Sequence, residues 1–293
     1  MLKTEAPCEA HPELDQYPLI ELVNAFIDDQ VNAVAAARAA SNDIARAVDA
    51  ALPRIEAGGR IIYAGAGTSG RLGLLDSVEL YPTFSWPHDR AIAVLAGGAE
   101  ALYKAVEGAE DSRELGANDI AALNVATHDV VLVLAASGTT PYALGAINEA
   151  RQRGALTIGI SNNPGAPVTA AAEIGITLDT GSEIISGSTR LKAGTAQKIT
   201  LNTFSSALMV KLNKVYGNLM VDVKPTNRKL IARTVRLTML ATGCDEALAT
   251  QTLEACGYHV KTALVAIKKQ VSVAEATTRL VRANGSVHDA MLP

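Results

Sequence analysis

An apolar run, Ile61-Ile62-Tyr63, leads into Gly65-Ala66-Gly67-Thr68-Ser69-Gly70-Arg71, and a helical pattern with Leu72, Leu74 and Leu75 follows. This strand, glycine turn and helix junction constrains the chain more than any other feature. Glycines allow a tight turn and close approach of a ligand, and the helix start behind them presents unpaired N–H groups. The spacing matches the dinucleotide fingerprint GxGxxG. A dinucleotide site also needs an acidic residue at the end of the next strand, to hold a ribose. The next apolar run, Ala91–Leu95, ends in Ala96-Gly97-Gly98 with no carboxylate there. The hydroxyls of Thr68 and Ser69 favour a single phosphate group over NAD.

Short β-branched runs alternate with helical stretches beyond this junction. Strands are expected at Arg60–Ala64, Ala91–Leu95, Val130–Ala135, Leu156–Ile160 and Ile174–Leu178. Helices are expected between them at Arg71–Leu80, Glu100–Val106, Tyr142–Arg153 and Val168–Ala172. Near-continuous apolar strands separated by helices imply an α/β fold. Its parallel sheet is covered on both faces, and ligands bind beyond the carboxyl ends of the strands. Upstream, Leu22, Phe26, Val31, Val34, Ala37, Ile44, Val48 and Leu52 recur at helical spacing. They predict one or two long helices over Leu19–Ile55, ended by Gly58-Gly59. Downstream, a helix is expected over Ser188–Val215, a connection over Asn218–Lys224 and a helix over Thr226–Ala241. Three amphipathic patterns, Asp245–Ala255, His259–Lys268 and Ser272–Ala283, then predict a small C-terminal three-helix domain. The expected division is an arm over 1–16, helices over 17–58, the α/β domain over 59–224 and the helical domain over 225–293.

Hydrophobic residues make up 48% of the 293, enough to bury a sizeable core. The net charge of −4 and the absence of a Lys/Arg run exclude nucleic acid and anionic membranes as expected partners. No apolar run approaches about 18 residues, so no membrane span is expected. Met1-Leu2-Lys3-Thr4-Glu5 lacks the apolar core of a signal peptide. Cys8, Cys244 and Cys256 are scattered, which fits a reducing cytoplasm better than a disulfide framework. The histidines share no metal-ligand spacing, so neither a metal nor a nucleotide cofactor is expected. No Gly-x-Ser-x-Gly elbow with a histidine partner supports a serine hydrolase.

Three hydroxyl-rich loops sit at expected strand ends: Gly67-Thr68-Ser69-Gly70, Ser137-Gly138-Thr139-Thr140 and Ser186-Gly187-Ser188-Thr189. One such turn is an ordinary helix cap. Three in one α/β domain predict converging donors that bind a phosphate without a metal. The phosphate is expected on Ser69, Ser137, Thr139 and Thr140, with the backbone amides of Gly70 and Gly138. Arg190 and Lys192 follow the third loop and could pair with a carboxylate or a phosphate, or face solvent. Glu79 lies late in the helix behind the first loop, and Glu110 sits in Glu107-Gly108-Ala109-Glu110-Asp111. Two carboxylates reaching one pocket could divide acid and base work.

Several longer motifs carry a resemblance. Gly65–Gly73, Val106–Arg113, Gly187–Lys198 and Tyr216–Val223 resemble, in order, the N-acetylmuramic acid 6-phosphate etherase family. The resemblance runs from about residue 17 to the C-terminus. It implies a sugar isomerase (SIS) domain, a flavodoxin-like three-layer parallel sheet that binds phosphosugars, and a homodimer. It also implies a phosphorylated amino sugar as substrate, cleaved at the D-lactyl ether on carbon 3. The ring opens, the proton at carbon 2 is removed, lactate leaves and water adds. Matching motif to motif, the family's acid falls on Glu79 and its second catalytic glutamate on Glu110. The chain departs from the family where Thr4-Glu5-Ala6-Pro7-Cys8 blurs the N-terminal motif, where Val78-Glu79-Leu80-Tyr81-Pro82-Thr83 surrounds the acid, and where Thr139 replaces an arginine. Other readings of such a domain are a non-catalytic sugar-phosphate sensor and an aldose–ketose isomerase.

Overall fold

A computed structural model describes every residue except Ala105, Lys224 and Thr226. These three fall within the expectations for Glu100–Val106, Asn218–Lys224 and Thr226–Ala241, which to that extent lie outside the described residues. Three helices open the chain: α1 (Leu19–Asp29), α2 (Val31–Ala39) and α3 (Ser41–Glu56). Then come β1 (Ile61–Gly65), α4 (Gly67–Phe84), β2 (Ala91–Leu95), α5 (Arg113–Ala122) and β3 (Val130–Leu134). The α/β rhythm continues with α6 (Pro141–Gln152), β4 (Leu156–Ser161), α7 (Pro167–Ala171), β5 (Ile174–Thr177) and α8 (Lys192–Lys211).

The five strands form one parallel sheet in the order β2-β1-β3-β4-β5. Every residue of β1, β3 and β4 is buried, as β-branched runs covered on both faces must be. On one face Ile62, Ala64, Val131 and Val133 pack against Ile120 of α5, Ala143 and Ile147 of α6 and Val168 of α7. The opposite face takes the start of α4, where Gly73 meets Tyr63 and Leu134, and α3, whose buried Ile44, Val48 and Ile55 stand outside that cluster. This is the expected three-layer α/β arrangement.

The chain forms two compact units, one of residues 1–78 and 88–205, the other of residues 79–87 and 206–293. In the second, β6 (Val215–Tyr216) and β7 (Leu219–Met220) make a small hairpin. The helices α9 (Arg228–Thr242), α10 (Glu246–Ala255), α11 (Val260–Lys269), α12 (Val273–Arg282) and α13 (Val287–Ala290) follow. Leu253, Leu264, Val265, Leu280 and Val287 make their core. The half-buried Asp222 accepts from Lys214 at 2.6 Å and from Lys261 at 2.9 Å. Burial raises its pKa, but the two ammonium groups outweigh this and hold the carboxyl below its ordinary value. No described helix is long and apolar enough to cross a membrane.

Some elements differ from expectation. Among the described residues, the helix expected over Glu100–Val106 is a 3-10 turn, Gly98–Leu102, because Val106 packs back on Gly97, where a Cβ would lie 2.7 Å from that of Val106. The segment over Leu19–Ile55 makes three helices rather than one or two. Val215 leaves the expected Ser188–Val215 helix to enter the hairpin. Helix α5 was not expected. It lies against α6 through Gly116 and Gly145, where a Cβ would come within 2.0 Å of the Tyr142 carbonyl oxygen and 1.9 Å of the Arg113 carbonyl oxygen.

One ion pair pins the sheet at its amino end. Arg60 grips Asp129 with Nε at 3.0 Å and Nη2 at 2.6 Å, and donates to the Leu123 carbonyl at 3.0 Å. Burial pushes the Asp129 carboxyl up, yet the Arg60 side chain and the amides of Ala126 and Arg60 bring it below its ordinary value. A carboxylate with a depressed folded pKa adds stability above its unfolded value and loses it as pH falls through the folded one. Asp129→Asn is therefore expected to cost about 2–3 kcal/mol at pH 7. Urea unfolding at a series of pH values should show the gap to wild type closing below about pH 4.

Candidate functional site

Strand order reverses between β1 and β3, so their carboxyl ends border the crevice where ligands bind in such sheets. The first loop enters it from β1. A Cβ on Gly70 would lie 2.3 Å from Leu95 Cδ1 and 2.5 Å from the Gly65 carbonyl oxygen. A Cβ on Gly65 would lie 2.9 Å from the Leu134 carbonyl oxygen. The first turn of α4 therefore sits directly on the ends of β1, β2 and β3. Its leading amides, those of Gly67, Thr68 and Ser69, have no intrahelical acceptor. The amide of Gly70, expected on the phosphate, instead donates to the Ala66 carbonyl at 3.1 Å and closes the helix start.

The second loop follows β3. Gly138 has φ +73°, and a Cβ there would lie 2.3 Å from Ala166 Cβ, so only glycine suits the turn. Its amide, also expected on the phosphate, donates to the Ala135 carbonyl at 3.0 Å. The Ser137 hydroxyl accepts from the Thr139 N–H and the Thr139 hydroxyl, both at 3.2 Å. With its acceptor side engaged, Ser137 keeps its own O–H proton for a ligand.

A polar cavity of about 380 Å3 joins these loops. Thr68, Ser69, Ser137, Thr139, Thr140, Thr189 and Glu110 all line it. Glu110 stands in the 3-10 turn Ala109–Asp111, and the side chain of Ser112 behind it caps α5 by accepting from the Leu115 amide at 3.0 Å. Asp111 and Glu5 also reach the wall, and among the described residues no lysine or arginine lines it. Glu5 was not expected. Its advance signal was its place in Thr4-Glu5-Ala6-Pro7-Cys8, the segment set against the family's N-terminal motif. The described residues hold no group of three or more His, Cys, Asp or Glu placed to hold a metal.

The third loop divides. Thr189 lines the cavity, while Gly70, Gly138, Ser186, Ser188, Arg190, Lys192 and Glu79 do not. The Ser186 hydroxyl accepts from the Cys8 amide at 3.1 Å, and the Ser188 amide donates to the Ile185 carbonyl at 2.9 Å. Glu183 accounts for the start of α8 that the loop leads into. Its carboxylate, fully buried, accepts from the Lys192 amide at 3.1 Å and the Ala193 amide at 2.9 Å. Burial raises the Glu183 pKa against the pull of these amides and Lys192. An internal anion thus fills the helix terminus that the hydroxyl pattern suggested for a ligand. The Lys192 ammonium is committed as well, to Asp29 Oδ1 at 2.6 Å, with both side chains under one tenth exposed. Arg190 and Glu79 are exposed, Glu79 on α4.

A parallel sheet of this order, with hydroxyl-bearing loops closing on a polar cavity at its switch point, defines a SIS-type phosphosugar-binding domain. The SIS domain family matches residues 107–207, and the glucokinase regulatory protein N-terminal SIS domain matches residues 43–151. The fold is also that of a phosphoheptose isomerase from Francisella tularensis, with a TM-score of 0.52 and 18% identity, over 67% of this chain and 100% of that one. The chain is 54% identical to the N-acetylmuramic acid 6-phosphate etherase of Deinococcus radiodurans, over 97% of its own length and 93% of the relative's. It is 44% identical to N-acetylmuramic acid 6-phosphate etherase 1 of Enterococcus faecalis, over 99% and 97%. The chain belongs to the N-acetylmuramic acid 6-phosphate etherase family.

The contact of α4 with the strand ends is open to direct test. Gly70→Ala must push the first turn of α4 off Gly65 and Leu95. Calorimetry is expected to show at least tenfold weaker binding of a sugar phosphate, while far-ultraviolet circular dichroism shows the helix content kept.

Proposed function

We infer that this chain is a carbon–oxygen lyase that cleaves the D-lactyl ether of N-acetylmuramic acid 6-phosphate, yielding N-acetylglucosamine 6-phosphate and D-lactate in cell-wall sugar recycling. The observation that carries the reading is the 54% identity to an etherase along nearly the whole chain. The chemistry of the cavity supports it. Neutral hydroxyls and first-turn amides suit a phosphate, with Thr68, Ser69, Ser137, Thr139 and Thr140 in that role. Carboxylates on the same wall suit proton transfer rather than phosphate binding.

The reaction asks for a base at carbon 2 and an acid at the ether oxygen. Opening the ring exposes an aldehyde, which delocalises the charge left when the carbon 2 proton goes. Loss of lactate from carbon 3 then forms the unsaturated aldehyde, and water adds across it to restore a hydroxyl. Glu110, on the cavity wall, is the base in this reading, and Glu79 is the acid that protonates the departing lactate oxygen. A homodimer belongs to the same reading. Leu19, Ile20, Val23 and Ile27 of α1 and Val31 and Val34 of α2 expose a run of apolar surface, of the kind that marks a protein interface. A cytoplasmic location fits the three unpaired cysteines.

Purified protein given N-acetylmuramic acid 6-phosphate should release D-lactate. Folded protein that binds the substrate, gains thermal stability and releases none would instead be a sensor, and a ketose product would mark an isomerase. Glu110→Gln is expected to lower turnover about 10²–10⁴-fold and to abolish solvent deuterium exchange at carbon 2. Glu79→Gln should lose lactate release to a similar extent while retaining that exchange, because deprotonation comes first. The opposite pattern would reverse the two roles. In sedimentation, wild type should run as a dimer and Ile27→Glu as a monomer. A monomeric wild type would remove the dimer from the reading.

A further inference from the structure

We propose that Glu5 is a substrate-binding residue of the phosphosugar cavity, where its carboxylate accepts hydrogen bonds from the hydroxyl groups of the bound sugar. The proposal rests on the phosphosugar reading above and adds a residue to it. Glu5 is exposed, but the backbone that carries it is fixed on both sides. Thr4, with no exposed surface, donates its N–H to Asn163 Oδ1 at 3.3 Å, and its hydroxyl accepts from Asn163 Nδ2 at 3.0 Å. Its carbonyl accepts the Gly187 N–H at 3.2 Å. On one side Lys3 pairs with Asp179 at 2.6 Å, and on the other the Cys8 amide donates to Ser186. The Glu5 amide closes a turn onto the Leu2 carbonyl at 3.1 Å. A segment with this many ties is part of the wall.

Asn163 sets the spacing. The same side-chain nitrogen that holds Thr4 also donates to the carbonyls of Ala136 at 3.0 Å and Ser137 at 3.4 Å. One buried amide therefore positions both the arm that carries Glu5 and the loop that carries Ser137. Gly187 keeps the carboxylate's surroundings clear. Its φ is +79°, and a Cβ there would lie 3.2 Å from Glu5 Oε2.

Electrostatics assigns the ligand group. An ionised carboxylate accepts hydrogen bonds and donates none. It repels a phosphate and attracts O–H donors. Five of the cavity's hydroxyl donors, Thr68, Ser69, Ser137, Thr139 and Thr140, belong to the first two loops, whereas Glu5 enters beside the third, which adds Thr189. A phosphosugar that lays its phosphate on the first two loops turns its hydroxyls toward Glu5.

The test uses two probes, N-acetylglucosamine 6-phosphate and inorganic phosphate, titrated calorimetrically into full-length protein. Glu5→Ala should weaken the sugar phosphate about tenfold or more and leave inorganic phosphate unchanged or tighter, with the melting temperature unmoved. Glu5→Gln keeps an acceptor oxygen and should fall between. Ser137→Ala should weaken both probes. Equal weakening of both probes by Glu5→Ala, or of neither, would overturn the proposal. Wild type that binds neither probe would overturn the phosphosugar reading itself, and the Glu5 proposal with it.

Discussion

The contact between Gly65 and Gly70, backbone against backbone with no side chain between them, is the constraint on which the site depends. It places the first turn of α4 on the carboxyl end of β1, with Leu95 of β2 against one side and the Leu134 carbonyl of β3 close by. Because the strand order reverses between the parallel strands β1 and β3, the connections that leave their carboxyl ends diverge and leave a crevice between them. The unpaired amides of α4 open into that crevice. Ser137 and Thr139 arrive from β3 at the same level, since β1 and β3 are paired in register from Ile61 with Val130 to Gly65 with Leu134. A bulkier residue at either glycine would keep the strands and lose the aim of the helix.

The surrounding charges are arranged so that the cavity meets an anion with neutral donors. Glu183 satisfies the start of α8 from within, and Asp29 neutralises Lys192 where both are nearly dehydrated. A buried pair of this kind is held by mutual need: removing one partner strands the other charge in a medium of low polarity. Its value lies in placing α8 against α1. Thr195 of α8 reinforces this by donating to Gln30 Oε1 at 2.7 Å. Lys192 and the start of α8 are thus committed within the protein, and the hydroxyl donors of the cavity come from the first two loops and from Thr189.

Much of this was legible in the sequence, for identifiable reasons. Buried β-branched runs with turn residues at both ends have few readings, and Ala91–Leu95 falls at the residues expected. The first two loops were readable because hydroxyls and glycines must stand at a strand end to matter. The third loop shows the same letters, yet its helix start is filled by Glu183. Which nearby carboxylate folds back onto a helix is a tertiary fact. The amides of Gly70 and Gly138 were misread because local turns claim them first. Helix α5 escaped notice because it packs through Gly116 rather than through an apolar stripe. Glu5 was hidden because its position depends on Asn163, which lies 158 residues further along the chain from it by the numbering.

The ties between the arm and the β4–β5 side of the sheet also order events in time. The partners of Lys3, Thr4 and Asp29 lie 176, 159 and 163 residues downstream. On a ribosome adding about 5–20 residues per second, the first segments wait roughly 10–30 s before anything they bind has been made. During that interval the apolar surface of α1 and α2 has no sheet domain to dock beside, and chaperones have their longest opportunity to engage it. One wall of the cavity is thus the earliest part of the protein to be synthesised and among the last to reach its place.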